Sequence, residues 1–340
     1  MGTNEAASPV VALTPGDPAG IGPELVIRAL GDEAVCARAR FLVVGDGEML
    51  AARAKRIGAP FDAPAVESAE ALRAGSATAG WLSSAEKSCD EGVLGKVDGN
   101  AGFASVKWIR QAAELALAGS VDAMVTGPIN KQSIKRGGCK HEGHTELLGE
   151  VTRAKPVMML VGGGLRVAIV TRHVALKDVP RLLNKAEIVR TVRAVHESLS
   201  RDFGIAEPRI AVLALNPHAS DGGRFGDEEK TLITPAVREL ELGGLAVDGP
   251  LVPDVAFFEV LKGSHDAVVA MYHDQGLIPL KTLAFDSGVN VTLGLPIVRT
   301  SPDHGTAFEI AGTGKADATS FVEAIGLAVE IAGNRAKAGS

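Results

Sequence analysis

Apolar runs of strand length, each closed by polar or turn-forming residues and separated by stretches of helical spacing, recur through most of this sequence. Residues 9–13 (PVVAL), 41–45 (FLVVG), 165–170 (LRVAIV), 209–215 (RIAVLAL) and 265–271 (HDAVVAM) are such runs. They are too continuously apolar to have a wet face, which suits strands buried on both sides in an α/β sheet. In open sheets of that kind ligands bind beyond the carboxyl ends of the strands, where loops and helix N-termini converge. The polar residues that end each run are therefore the first place to look for chemistry.

With 340 residues and 46% hydrophobic content the chain can bury a large core, and one or two domains are expected. A net charge of −6 gives no general basic surface and argues against nucleic acid as a partner. The three cysteines, Cys36, Cys89 and Cys139, form no CxxC pair and no even disulfide framework, which suits a reducing compartment. The opening MGTNEAASPV lacks a basic and an apolar leader region, and no apolar run approaches the ~20 residues that span a bilayer. A cytoplasmic protein without membrane partners is the expectation.

Several run ends carry candidate ligands. After 9–13 comes TPGDPAGIGPE and then a helix-like ELVIRAL, a strand, glycine-rich turn and helix that suits either an anion at a helix N-terminus or a turn built for close packing. The helix expected over 102–119 leads to DAMVTGP, with Asn130 and Lys131 beyond it. His144 and Thr145, in GHTE before an apolar helix, stand where free backbone N–H groups collect; an anion contact and capping by Thr145 both fit. The segment DGGRFGDEE (221–229) reads as a loop with an acidic helix start, and Asp254 as a loop carboxylate that could serve as a base.

The strongest repeated signal is the placement of His173, His218 and His273, each just past the last apolar residue of a strand candidate. A lone histidine at a strand end is ordinarily structural. Three placed alike suggest neutral imidazoles around a divalent metal with coordination positions left open for substrate. Spacing alone leaves both readings open, and the separations are far too long for a local finger, so any such site is assembled by the fold.

Taken together, TPGDPAGIGPEL, VTGPINK, GHTE, NPH, MYHDQGLIPLK, VNVTLGLP and RTSPDHGTAFEIAG resemble the 4-hydroxythreonine-4-phosphate dehydrogenase family, over a match from about residue 13 to 332. The first and last segments also resemble the wider isocitrate and isopropylmalate dehydrogenase superfamily. The resemblance implies an α/β fold of two αβα domains with a cleft between them, the sheet running through both. The expected division is a terminal domain of residues 1–130 plus 282–340 on the cofactor side and a middle domain of 131–281. It implies a homodimer with a shared active site, a divalent metal (zinc, magnesium or cobalt) held by His173, His218 and His273, with His273 from the partner chain, and NAD or NADP as cofactor. Substrate contacts would be His144, Thr145, Lys281, Asn290 and Arg299, the cofactor would lie against His304, Gly305, Thr306 and Ala307, and Asp254 is the catalytic base candidate.

The reaction so implied is oxidative decarboxylation of a small phosphorylated substrate, 4-phosphooxy-L-threonine, to 3-amino-2-oxopropyl phosphate in pyridoxal 5'-phosphate synthesis. Related dehydrogenases act on 4-phospho-threonate, 4-phospho-erythronate or a cyclic dihydrodiol carboxylate. Two departures from the family pattern bear on that choice: Ala219-Ser220-Asp221 stands where Ala-Gly-Glu is usual, and Pro302 where a valine is common.

Overall fold

The structure is a computed structural model, which describes residues 8–82 and 93–338. The opening residues and Cys89 lie outside the described residues. Along the chain run β1 (Val10–Thr14), α1 (Gly22–Leu30), α2 (Glu33–Cys36), β2 (Arg40–Val43), α3 (Gly47–Ile57), β3 (Ala65–Val66), α4 (Ala69–Ala74), β4 (Ala79–Leu82), α5 (Gly99–Leu117), β5 (Ala123–Thr126), α6 (Lys131–Arg136) and α7 (His144–Thr152). There follow β6 (Val157–Gly162), β7 (Leu165–Thr171), α8 (Val179–Leu182), α9 (Lys185–Arg201), β8 (Arg209–Leu213), α10 (Thr234–Leu242), β9 (Ala246–Leu251), α11 (Pro253–Leu261), β10 (Ala267–Tyr272), α12 (His273–Leu283), β11 (Val289–Leu293), β12 (Arg299–Pro302) and α13 (Thr319–Ala338).

The chain divides into two compact units, residues 1–156 with 295–333, and residues 157–294 with 334–340. In the first unit the strand order is β3-β4-β2-β1-β5-β12, all parallel. Every residue of β1, β5 and β12 is buried. Since successive side chains point to opposite faces, an unbroken buried run needs cover on both faces, so these strands sit in a sandwich of helices. In the second unit the order is β11-β6-β7-β10-β8-β9; β6 pairs antiparallel with β11 and β7, and the rest are parallel. Its core is built from Leu160, Val167, Ile169, Leu213, Val268, Ala270 and Leu277, each nearly inaccessible to solvent.

The unit boundaries fall near 156 and 294 rather than at the expected 130 and 281. Packing explains the difference. Gly102 of α5 lies so close to α6 that a Cβ there would stand 2.0 Å from the Ser133 carbonyl oxygen, so the α6 segment belongs with the first unit. At the other end β11 pairs with β6 over five residues, which holds 289–293 in the second. The closing helix α13 runs on to Ala338, with Asn334 Nδ2 donating to the Asp202 carbonyl (2.9 Å) and Arg335 Nε to the Asp202 carboxylate (2.7 Å).

Candidate active site

In the second unit, parallel pairing sets Thr171 of β7 beside Tyr272 of β10, so both strands deliver their next residues to the same edge of the sheet. Those residues are Arg172-His173 and His273-Asp274. The two strand ends are tied by the Thr171 hydroxyl, which donates to the Met271 carbonyl (2.7 Å). Gln275 adds two bonds: its Oε1 accepts from Met271 N (2.7 Å) and its Nε2 donates to the Ala214 carbonyl beyond β8 (2.7 Å). The His173 and His273 rings lie 5.7 Å apart between centroids, tilted by 44°. Two imidazoles bound to one tetrahedral ion at ~2 Å have centroids about 5 Å apart, a spacing close to the one seen here.

Asp274 Oδ1 lies 2.7 Å from His273 Nδ1, the carboxylate contact that orients a metal-ligating imidazole and leaves Nε2 to face a ligand. Arg172, Tyr272 and Asp274 line a 220 Å³ cavity together with these two histidines. His218 is exposed, on a turn beyond β8 with φ of 53°. Among the described residues no group of three or more His, Cys, Asp or Glu side chains is gathered closely enough in one chain to hold a metal ion. The structure therefore brings two of the three predicted histidines together, with donor chemistry that fits a divalent ion, and leaves the third apart. Lys281 lies half-buried in the last turn of α12 and Asn290 half-buried in β11. Asp254 is exposed in the first turn of α11 and does not line the cavity.

In the first unit, Arg299 at the start of β12 is 2% exposed, and its Nη2 and Nε both donate to Thr126 Oγ1 at the end of β5 (2.7 and 3.2 Å). Burial pulls the guanidinium down to about 9, which still leaves it cationic at neutral pH. His144 and Thr145 open α7. Its N-cap is Gly143, with no side-chain cap, so the helix start is not closed by Thr145 and its N–H groups remain donors for an anion. Burial first, and then the charge of Arg299, hold the His144 imidazole well below its ordinary value, so it is neutral. One ring nitrogen is hydrogen-bonded to the Gly127 backbone, while Nε2 is buried with no partner in the chain. A nitrogen facing a carbonyl must carry the proton, so Nε2 presents a lone pair. The ring is thus an acceptor for a substrate hydroxyl or ammonium, while the backbone supplies the donors.

The PGDPAGIGPE turn proves to be built for close approach. A Cβ on Gly22 would stand 1.8 Å from the Pro15 carbonyl oxygen, and one on Gly20 would stand 2.8 Å from the Thr306 carbonyl oxygen. Ile21 N donates to that Thr306 oxygen (3.0 Å), and Glu24 accepts from Gly312 N (2.5 Å) and Gly314 N (3.1 Å). The turn therefore braces the predicted cofactor loop. In that loop Ala307 has φ of 40°, and His304 Nε2 is a buried polar atom without a partner in the chain, an opening that a polar ligand would fill.

Arg172, Thr126, Asp274 and Glu229 were not singled out by sequence reasoning. Arg172 and Asp274 each adjoin a predicted ligand, and that adjacency was the available signal. Thr126 ends a strand run as the histidines do. Glu229 sat in a segment read as an ordinary acidic helix start, and nothing local marks it.

The profile of the family described as "Pyridoxal phosphate biosynthetic protein PdxA" matches residues 37–328. A 4-hydroxythreonine-4-phosphate dehydrogenase of Geobacter metallireducens is 47% identical over 331 residues, covering 95% of this chain and 96% of the relative. A D-threonate 4-phosphate dehydrogenase of Cupriavidus necator is 43% identical over 336 residues, covering 96% and 98%. The crystal structure of 4-hydroxythreonine-4-phosphate dehydrogenase from Klebsiella pneumoniae superposes with a TM-score of 0.86 at 39% identity, covering 97% of this chain and 99% of that one. With its largely parallel sheet strands, its paired strand-end histidines and a match along nearly its whole length, this chain belongs to the 4-hydroxythreonine-4-phosphate dehydrogenase (PdxA) family.

Proposed function

We propose that the chain oxidises 4-phosphooxy-L-threonine at its secondary alcohol with NAD or NADP, losing carbon dioxide to give 3-amino-2-oxopropyl phosphate, as a step of pyridoxal phosphate biosynthesis. The observation that carries this reading is the His173 and His273 pair, backed by Asp274 and opening on a cavity, in a chain 47% identical to a dehydrogenase of that name. His173, His218 and His273 are assigned to the metal. A divalent ion held there supplies Lewis acidity to the alcohol and carbonyl oxygens of the substrate. His304, Gly305, Thr306 and Ala307 are assigned to the dinucleotide, on a loop braced by Glu24.

In the first unit Arg299 is assigned to the substrate as fixed positive charge and the N–H groups of His144 and Thr145 as donors; Lys281 and Asn290 of the second unit are assigned to the substrate by the family resemblance. The neutral His144 ring accepts from the substrate's hydroxyl or ammonium and so orients the carbon that loses hydride. Asp254 is the candidate for proton removal from the alcohol, although in this chain it does not line the cavity. A homodimer completes the site. Val255 and Phe258 on α11, Ile278 on α12 and Phe285 just beyond it are 54%, 58%, 62% and 78% exposed, apolar surface of the kind that subunit contacts cover. No helix of the described residues is long and apolar enough to cross a membrane, and Cys36 and Cys139 are free thiols, which together support a cytoplasmic enzyme.

A second reading has a specific footing. The Cupriavidus necator relative acts, by its name, on D-threonate 4-phosphate, and this chain departs from the usual family sequence at 219–221 and 302. Steady-state assays with 4-phosphooxy-L-threonine, phospho-threonate and phospho-erythronate, each with NAD and NADP and added divalent metal, decide between them. The expected result is reduced nicotinamide formed fastest with 4-phosphooxy-L-threonine. Absence of turnover with all three sinks the dehydrogenase reading, and faster turnover of phospho-threonate moves the enzyme to the second one.

A further inference from the structure

Four consecutive residues with side chains, His218, Ala219, Ser220 and Asp221, have φ of 53°, 52°, 70° and 44°, and Gly222 and Gly223 continue the run at 69° and 98°. Among the described residues the other non-glycine positions of positive φ, Arg153 and Ala307, are isolated. In left-handed backbone the Cβ of an L-residue crowds the following carbonyl oxygen, so a whole turn of it persists only where the surroundings over-determine it. Most of the hydrogen bonds here converge on one side chain, with Glu228 Oε2 also accepting from Asn216 Nδ2 (2.8 Å). Glu229, 4% exposed, takes Leu215 N (2.9 Å) and Asn216 N (2.7 Å) on Oε1, and Asn216 Nδ2 (3.0 Å) and the Ser220 hydroxyl on Oε2. The turn then closes on itself, with Arg224 N donating to the Ser220 carbonyl (2.8 Å).

One carboxylate thus grips the chain on both sides of His218, at Asn216 before it and Ser220 after it. Glu229 itself begins a π-helical turn, Glu229–Ile233, that runs straight into α10. A π turn inserted in a helix re-aims the side chains at its start and is often found at functional sites. A loop needed only to connect β8 to α10 would have no reason to keep side-chain-bearing residues in so unfavourable a conformation, whereas an exposed imidazole that must be presented at a fixed angle does.

We propose that Glu229 is a positioning residue for His218: through Asn216 and Ser220 it holds the left-handed turn that sets the angle at which this imidazole meets the metal. The inference rests on the reading that His218 is a metal ligand. Its test is equilibrium titration with Co2+ in the absence of substrate, alongside thermal unfolding, for the wild type, His218→Ala, Glu229→Gln, Ser220→Ala, and Glu229→Gln combined with Ala219→Gly.

The expected result is a loss of Co2+ affinity of roughly 10–100-fold in Glu229→Gln, the range for removing a group that orients a metal ligand, and a smaller loss in Ser220→Ala. The Ala219→Gly addition should restore part of that affinity, because glycine takes the left-handed conformation without the Cβ clash and the turn then needs less clamping. Wild-type Co2+ affinity in a folded Glu229→Gln protein overturns the proposal, even if its melting temperature falls, since that pattern belongs to a structural role. Should Glu229→Gln fail to fold, Ser220→Ala decides: unchanged affinity there overturns the proposal. Wild-type affinity in His218→Ala is a different failure, which removes the metal assignment itself and the positioning role with it.

Discussion

At the scale of the residue, the site depends on which groups are held charged and which neutral. Arg299 is cationic although buried, and His144 beside it is neutral because of burial and that charge. Arg299→Ala should leave metal content intact and chiefly raise KM, with some loss of kcat, whereas His218→Ala should lose bound metal and nearly all turnover. Metal analysis beside kinetics checks this, and equal metal content in wild type and His218→Ala would contradict it. The neutral imidazole also has a consequence for pH. In the unfolded chain it takes up a proton below about pH 6.5, while in the folded chain it does so only further down. The unfolded state therefore binds more protons in that window, and stability falls as the pH drops from about 6.5 toward the folded value, with a slope near 1.4 kcal/mol per unit from this group. Thermal unfolding of wild type and His144→Gln across pH 5–7.5 should give a flatter profile for the variant; parallel profiles would show that His144 is not the group responsible.

At the scale of the element, loops are fixed by buried side chains reaching between segments distant in sequence. Arg53 in α3 is 1% exposed, donates to the carbonyls of Pro18 (2.8 Å) and Gly20 (3.1 Å), and lies 3.9 Å from Glu24. Glu24 in turn holds Gly312 and Gly314. Arg53→Met keeps much of the volume but leaves the Glu24 carboxylate buried without its cation, a loss of about 3 kcal/mol or more. The expected outcome is a lowered melting temperature together with weaker NAD(P) binding, because the brace under residues 304–314 loosens. Calorimetry and dinucleotide titration measure the two effects, and a destabilised protein with unchanged dinucleotide affinity would separate the brace from the cofactor loop.

At the scale of the whole molecule, the proposed homodimer can be tested through the histidine that its partner chain would contribute. His173 and His273 are neighbours in one chain, yet no group of three forms there among the described residues. The family resemblance gives His273 to the partner. Pairwise mixing of inactive His173→Ala, His218→Ala and His273→Ala chains, refolded together, distinguishes the arrangements. Variants of ligands from different chains complement: half of randomly paired dimers are hybrids with one intact site of two, so recovery approaches roughly a quarter of wild-type activity. The resemblance predicts recovery in both mixtures that contain His273→Ala, whereas the His173–His273 pairing within one chain predicts recovery in the mixtures that contain His218→Ala. Recovery only in the mixtures containing His218→Ala would assign that residue to the partner, and three dead mixtures that still form dimers would place every ligand in one chain. The alternation of apolar runs and helical stretches determined the α/β class, because strand burial and helix periodicity are written locally, and the same runs marked His173, His218 and His273 as strand-end residues. The motifs carried the family. Tertiary structure alone decided that residues 131–156 pack with the first unit, that Thr126 holds Arg299, that His173 and His273 are paired, and that Glu229 clamps the turn bearing His218. Each of these is a contact between residues far apart in the chain or a backbone angle imposed by such a contact, and neither local propensity nor spacing encodes which distant group a side chain will meet.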